Sequence, residues 1–261
     1  MKKRIIFLFI ITFDLFVFVG IANLSICATA PRGANTFEMV LHTIADVEKD
    51  IDDEYCSKNG YKKYRTEEQI LSGTWNRSQR TLVKVYNDRN DVDDISNACG
   101  IVAAMIIIEY LFLKKKEMTL DMNARNQLFY NLVDYAKKIG FNNNDGMIMS
   151  NEDDLIRNFI NDNGLGDGLN VDNDYMFLFD NFREALGKGY PTTLAFANHI
   201  AVACGYVIYR VEYKTMWWTT VKEKKYFIIH DGWYEGSYSY ESNYSYVDLD
   251  GMGAAGITKL L

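Results

Sequence analysis

Three residues have the types and the order that nucleophilic acyl chemistry requires: Cys99, His199 and Asp231. A cysteine attacks a carbonyl carbon when a base takes its proton and a third group fixes that base's tautomer and orientation. Cys99 sits in Asn97-Ala98-Cys99-Gly100, which runs directly into an almost wholly apolar stretch, Ile101 to Leu113. As a helix, that stretch is apolar on every face except the one carrying Glu109, so it belongs in the middle of a core. A thiol at its start meets free backbone N–H groups and the positive end of the helix dipole, both of which favour thiolate. A buried cysteine at a helix start also has a purely structural explanation. The base decides between them.

The chain has three histidines, His42, His199 and His230. His42 falls on the flank of an N-terminal amphipathic helix. His199 opens a strand-like apolar run, His199 to Tyr209, and its type and place suit either a satisfied core residue or a base. His230 ends the run Tyr226 to His230 and precedes Asp231-Gly232-Trp233. Side chains alternate along a strand, so His230 and Asp231 point to opposite faces and only one of them faces a given site. Two antiparallel strands joined through residues 210–224 bring Asp231 to His199 if their register is suitable. The cysteines offer no CxxC pair and no zinc-type spacing with histidine, so neither a metal nor a cofactor is expected. Cys204 reads as small buried filler, and Cys56 sits in a polar segment without an evident partner.

The elements that position these residues divide the chain. Phe37 to Ile51 has the spacing of an amphipathic helix, followed by a charged loop to Gly60. Thr66 to Gln69 resembles a capping box at a helix start. Residues 72–97 read as loop around a strand-like piece, Thr81 to Tyr86. After the central helix, closed by Lys114-Lys115-Lys116, further helices are expected at Asn126 to Lys138, Asn151 to Phe159 (entered through Ser150) and Tyr175 to Leu186. Residues 161–174 form a loop whose Asp, Asn and Gly residues do not complete a calcium-binding pattern. Strands are expected at Tyr190 to Phe196, His199 to Tyr209, Thr219 to Lys222, Lys225 to His230 and Tyr238 to Val247. Helices first and strands after predict an α+β domain, its helical N-terminal half packed on an antiparallel C-terminal sheet.

With 261 residues and 48% hydrophobic content, the chain has room for one domain of about 200 residues plus leader material. The leader is legible: Lys2-Lys3-Arg4, then the mostly apolar Ile5 to Ile26, then Ala28-Thr29-Ala30. That order predicts a signal peptide over 1–30 and a secreted or cell-surface protein. Two other readings remain, an uncut anchor and lipidation at Cys27; Asp14 inside the apolar run fits neither a signal nor an anchor well. Losing Lys2, Lys3, Arg4 and Asp14 with the leader takes the formal charge from −7 to −9. Nucleic-acid binding needs clustered positive charge, so nucleic acid is not an expected partner. Residues 31–85 read as an N-terminal extension, either propeptide-like or part of the fold, ahead of a domain over 86–261.

Four segments in order resemble the papain-like cysteine peptidases, closest to the bacterial C39-like group. They are Asn97-Ala98-Cys99-Gly100 with its apolar helix, Gly187-Lys-Gly-Tyr-Pro-Thr-Thr-Leu194, Asn198-His-Ile-Ala-Val-Ala-Cys-Gly-Tyr206 and Tyr226-Phe-Ile-Ile-His-Asp-Gly-Trp233. The resemblance covers roughly residues 90–235. It implies a papain-like fold, with Cys99 as nucleophile, His199 as base and Asp231 as its orienting partner, acting on a peptide or protein substrate. The sequence departs from the family in two places. Ile101 stands where Pro commonly follows Cys-Gly, and no Gln lies between Gln79 and Cys99 to stabilise an oxyanion. Asn97 or Asn90 is the expected substitute beside the backbone N–H of Cys99, while Asp93 and Asp94, if close, oppose thiolate. The expected function is an exported cysteine peptidase. A catalytically silent module binding a peptide or cell-surface partner, its Tyr-rich 234–246 segment serving as contact surface, is one alternative. An amidase or acyltransferase acting on a non-peptide is another.

Overall fold

A computed structural model describes residues 43–143, 146–147, 151–174, 179–196, 199–233, 245–248 and 256–260. The leader, His42 and most of the Tyr-rich segment lie outside these residues. The architecture is α+β: helices packed on a seven-stranded antiparallel sheet.

The central helix forms as its composition demands. It is α3, Cys99–Lys116, and every residue from Cys99 to Leu111 is buried. Lys114, Lys115 and Lys116 occupy its last turn, and Glu117 ends it in the left-handed region (φ 52°). Around α3 lie α2 (Gln79–Asn87), α4 (Met122–Lys138) and α5 (Glu152–Asp162). Their apolar faces, including Leu82, Tyr86, Phe129, Leu132, Leu155 and Phe159, share one core with α3. Among the described residues, no helix is long and apolar enough to cross a membrane.

The sheet runs in the order β2 (Val171–Asp174), β7 (Gly256–Leu260), β3 (Thr192–Phe196), β4 (His199–Thr215), β5 (Trp218–His230), β6 (Ser245–Asp248). The seventh strand, β1 (Lys62–Ile70), also pairs with β4, beyond the end of β3. β4 is therefore the spine of the sheet. A register shift between Ala203 and Gly205 adds one residue to β4 and changes its alternation there. Ile200 and Val202 pack on the α3 core, whereas Cys204, Val207, Tyr209 and Val211 pack on α1 (Ile44–Tyr55). Ala201, Ala203, Tyr206 and Ile208 face α6 (Phe179–Gly187). Gly205 is required at the shift: a Cβ there would lie 2.3 Å from the Gln69 carbonyl oxygen.

Several expected elements come out differently. Residues 66–69 are strand, not a helix start. Thr66 Oγ1 donates to the Ile208 carbonyl and Gln69 Nε2 to the Leu186 carbonyl, so the would-be capping residues hold β1 to its neighbours. Residues 81–86 are helix, not strand: Ser78 accepts from the Thr81 N–H, and the buried residues Gln79, Leu82 and Tyr86 follow helical spacing. Of the first expected helix, residues 37–42 lie outside the described residues, and a helix runs over Ile44–Tyr55, capped reciprocally by Thr43 and Asp46. Strand β5 is continuous where two strands were expected, and β2 and β7 were not anticipated. Residues 43–85 are built into the domain, since β1 extends the sheet and α1 covers one of its faces.

Candidate functional site

Cys99 is the first residue of α3 and is only 2% exposed. Ala98 precedes it as N-cap with no side-chain hydrogen bond, leaving the first backbone N–H groups of the helix free of a capping side chain. The approach to Cys99 is fixed by two asparagines. Asn87 accepts from the Ile95 N–H (2.8 Å) and donates to its carbonyl (2.9 Å). Asn143 accepts from the Ser96 N–H (2.9 Å) and donates to the Asp94 carbonyl (2.7 Å).

His199 begins β4, and the backbone N–H of the next residue, Ile200, hydrogen-bonds the Cys99 thiol. The antiparallel register pairs Val202 with His230, which brings Asp231 alongside His199. The contact differs from the expected one. His199 Nε2 bonds the backbone carbonyl of Asp231 at 2.5 Å, not its carboxylate. A carbonyl oxygen only accepts, so Nε2 carries the proton and Nδ1 is the basic nitrogen. Nδ1 is buried and has no partner among the described residues. The Trp233 ring stacks on the imidazole (centroids 4.5 Å, interplanar 25°) and limits its rotation.

The Asp231 carboxylate serves the turn instead. Oδ1 accepts from Asn76 Nδ2 and from the Trp233 N–H, both at 2.9 Å, and Oδ2 is buried without a partner among the described residues. Asn76 Oδ1 in turn accepts from the Gly232 and Arg77 N–H groups. Arg77 reaches into the core to Glu109, with Nε and Nη2 at 2.7 and 2.6 Å, and Arg125 Nε meets the same carboxylate at 2.8 Å. The one acidic residue in the apolar run of α3 thus ties the 76–79 segment to the helix that carries Cys99. His230 faces away and bonds Thr74 Oγ1 at 3.0 Å.

Gln79 also belongs here. Its N–H donates to the Gly232 carbonyl (2.7 Å), and Gly232 lies against Val102, one turn into α3 from Cys99. The side chain is buried, and its Oε1 has no partner among the described residues. A glutamine twenty positions before the cysteine is remote in sequence, but as the first residue of α2 it is tied by its backbone to the turn whose Asp231 carbonyl holds His199. Asn97, expected as an oxyanion donor, has its side-chain N–H on the Asn143 carbonyl (2.6 Å), and Asn90 is exposed.

The electrostatics centre on burial. It pushes the Cys99 thiol up to about 12, against the helping N–H of Ile200, and lowers His199 to about 4, against the nearby Asp231. The carboxyl whose ionised form opposes the thiolate is neither Asp93 nor Asp94, both exposed, but Glu152. Glu152 is fully buried at the start of α5, has no hydrogen-bond partner among the described residues, and is raised well above the ordinary carboxyl range by burial. Its Oε2 would lie 2.8 Å from a Cβ on Gly100, so that glycine is what admits it beside Cys99. At neutral pH the resting site therefore holds a neutral thiol and a neutral imidazole. Among the described residues, no three His, Cys, Asp or Glu side chains gather as metal ligands.

No family model matches the chain, and a search of the curated proteins finds no match.

Proposed function

We propose that the protein is a papain-like cysteine peptidase that is exported and hydrolyses peptide bonds through Cys99 and His199. The observation that carries this reading is the placement of His199, its Nε2 tied to a carbonyl and its Nδ1 bare, directly before the residue whose N–H reaches a thiol at a helix N-terminus. As the carbonyl carbon of a substrate is attacked, the Cys99 proton passes to His199 Nδ1 and an S–C bond forms. The tetrahedral adduct collapses by breaking the C–N bond, and Nδ1–H protonates the leaving amine. Water then attacks the thioester, giving a proton to Nδ1, and collapse of the second adduct releases the acid and returns that proton to sulfur. The imidazolium formed in each step is stabilised by the buried Asp231 carboxylate nearby. The oxyanion is assigned to the Cys99 N–H and the Gln79 side-chain amide, replacing Asn97.

Because thiol and imidazole start neutral, proton transfer accompanies attack rather than preceding it. Cys56 is exposed and Cys99 buried, so iodoacetamide reaches Cys56 first, and the test needs Cys56→Ser. In that background Cys99 is the residue modified by a peptidyl electrophile, and His199→Ala slows the modification at least tenfold. Modification that ignores His199 contradicts the proposal.

One observation favours a second reading, a catalytically silent module that binds a peptide or cell-surface partner. Burial disfavours the charged forms of both Cys99 and His199. Under that reading Cys99→Ser leaves the protein's biological activity intact; loss of activity rejects it.

A further inference from the structure

The largest unexplained apolar exposure in the described residues is the tip of the β4–β5 hairpin. Met216 is 89%, Trp217 92% and Trp218 73% exposed, with Val221 behind them at 47%. Thr215 pairs with Trp218, so Met216 and Trp217 form a two-residue connection. Such turns are the usual place for Asn-Gly, because they demand positive φ. Met216 adopts φ 53° despite its side chain. Backbone strain at Met216 opposes folding, and three large apolar side chains left in water contribute no burial to offset it.

Charge around the tip is one-sided. The acidic residues at this end are matched: Glu212 by Arg210 (2.6 Å), Glu223 by Lys225 (3.5 Å), Glu54 by Lys224 (3.0 Å) and Asp52 by Lys63 (2.8 Å). Lys214, Lys222 and Lys62 lie on the three strands behind the tip and meet no carboxylate at ion-pair distance among the described residues. An acidic chain thus presents a local cationic collar behind an apolar point. Tryptophan favours the boundary between headgroups and acyl chains, and lysines just behind it meet anionic headgroups.

We propose that the Met216-Trp217-Trp218 tip inserts into the interfacial layer of an anionic phospholipid bilayer, with Lys62, Lys214 and Lys222 contacting the headgroups. Three side chains give only weak, reversible insertion, which suits a contact that orients the domain at a surface. The proposal is independent of the catalytic reading.

The test is quenching of tryptophan emission by vesicles of brominated phosphatidylglycerol and phosphatidylcholine, with the full chain. Any leader contributes equally to all variants, since it holds no tryptophan. The expected result is quenching that disappears in Trp217→Ser/Trp218→Ser, where Trp75 and Trp233 still report, with an unchanged melting temperature. Lys214→Glu/Lys222→Glu should abolish the preference for anionic over neutral vesicles, as should 1 M NaCl, where screening acts within about 3 Å. Emission that stays unquenched, or quenching that persists in the double Trp variant, overturns the proposal. So does quenching indifferent to lipid charge. Self-association lost in the double Trp variant, without quenching, instead assigns the tip to a second copy of this chain.

Discussion

At the residue scale, His199 is oriented by a backbone carbonyl, and the role of Asp231 follows from that. Its carboxylate braces the 231–233 turn and supplies charge, but does not hold the ring. Asp231→Asn keeps the Asn76 and Trp233 contacts available and should lower kcat less than about tenfold, whereas Asp231→Pro or any change that moves the carbonyl should cost far more. Steady-state hydrolysis of a cleaved peptide measures both. Gln79→Ala should lower kcat by about 10²–10³ with little change in KM, the signature of a lost oxyanion donor. The places of Cys99 at a helix start and of His199 at a strand start were legible from residue type, neighbours and order. Gln79, Asn76 and Glu152 were not, because each acquires its role from a partner at least fifty positions away: Gly232 for Gln79, Asp231 for Asn76, Gly100 for Glu152.

At the scale of elements, α3 is the part that sequence specifies best. Thirteen consecutive buried residues admit no other environment, and Glu109 is tolerated because Arg77 and Arg125 both reach it. Removing a buried carboxylate from two guanidinium groups leaves uncompensated charge, so Glu109→Ala should destabilise the fold by about 3–5 kcal/mol in denaturant titration. Arg77 adjoins Asn76, so Glu109→Gln should also loosen the 231–233 turn and lower kcat even where the protein stays folded. Strand β1 and helix α2 depart from expectation for two different reasons. Thr66 and Gln69 have local capping chemistry that loses to long-range pairing with β4, while the β-branched Thr81, Val83 and Val85 mask the helical spacing of Gln79, Leu82 and Tyr86. Order along β4 was legible from its apolar run; the parity change at Gly205 was not, because it reflects the close approach of β1.

At the scale of the whole molecule, two buried titratable groups near Cys99 pull stability in opposite directions with pH. His199 titrates near 4 in the fold and near 6.5 when unfolded, so the unfolded chain binds more protons between those values. The stability from burying the neutral ring is present above about pH 6.5 and lost, by about 3 kcal/mol, as pH falls to 4. Glu152 is raised, so the fold is favoured by its neutral form below the ordinary carboxyl value and loses that contribution as pH rises. His199→Asn should therefore raise the melting temperature at pH 5 relative to pH 8, and Glu152→Gln should raise it at pH 8 relative to pH 5. Calorimetry at the two pH values distinguishes them. Glu152→Gln should also accelerate alkylation of Cys99 in the Cys56→Ser background, because an ionising carboxyl no longer opposes the thiolate. The helices-then-strands order was legible except for β1 and β2, and the addition of β1 to the sheet beside β4 was not. The central claim, that Cys99 is a peptide-cutting nucleophile, is tested most directly by incubating the purified protein with a peptide library and sequencing the products by mass spectrometry. The account predicts cuts that vanish in Cys99→Ala and in His199→Ala; a set of products identical with and without Cys99 contradicts it.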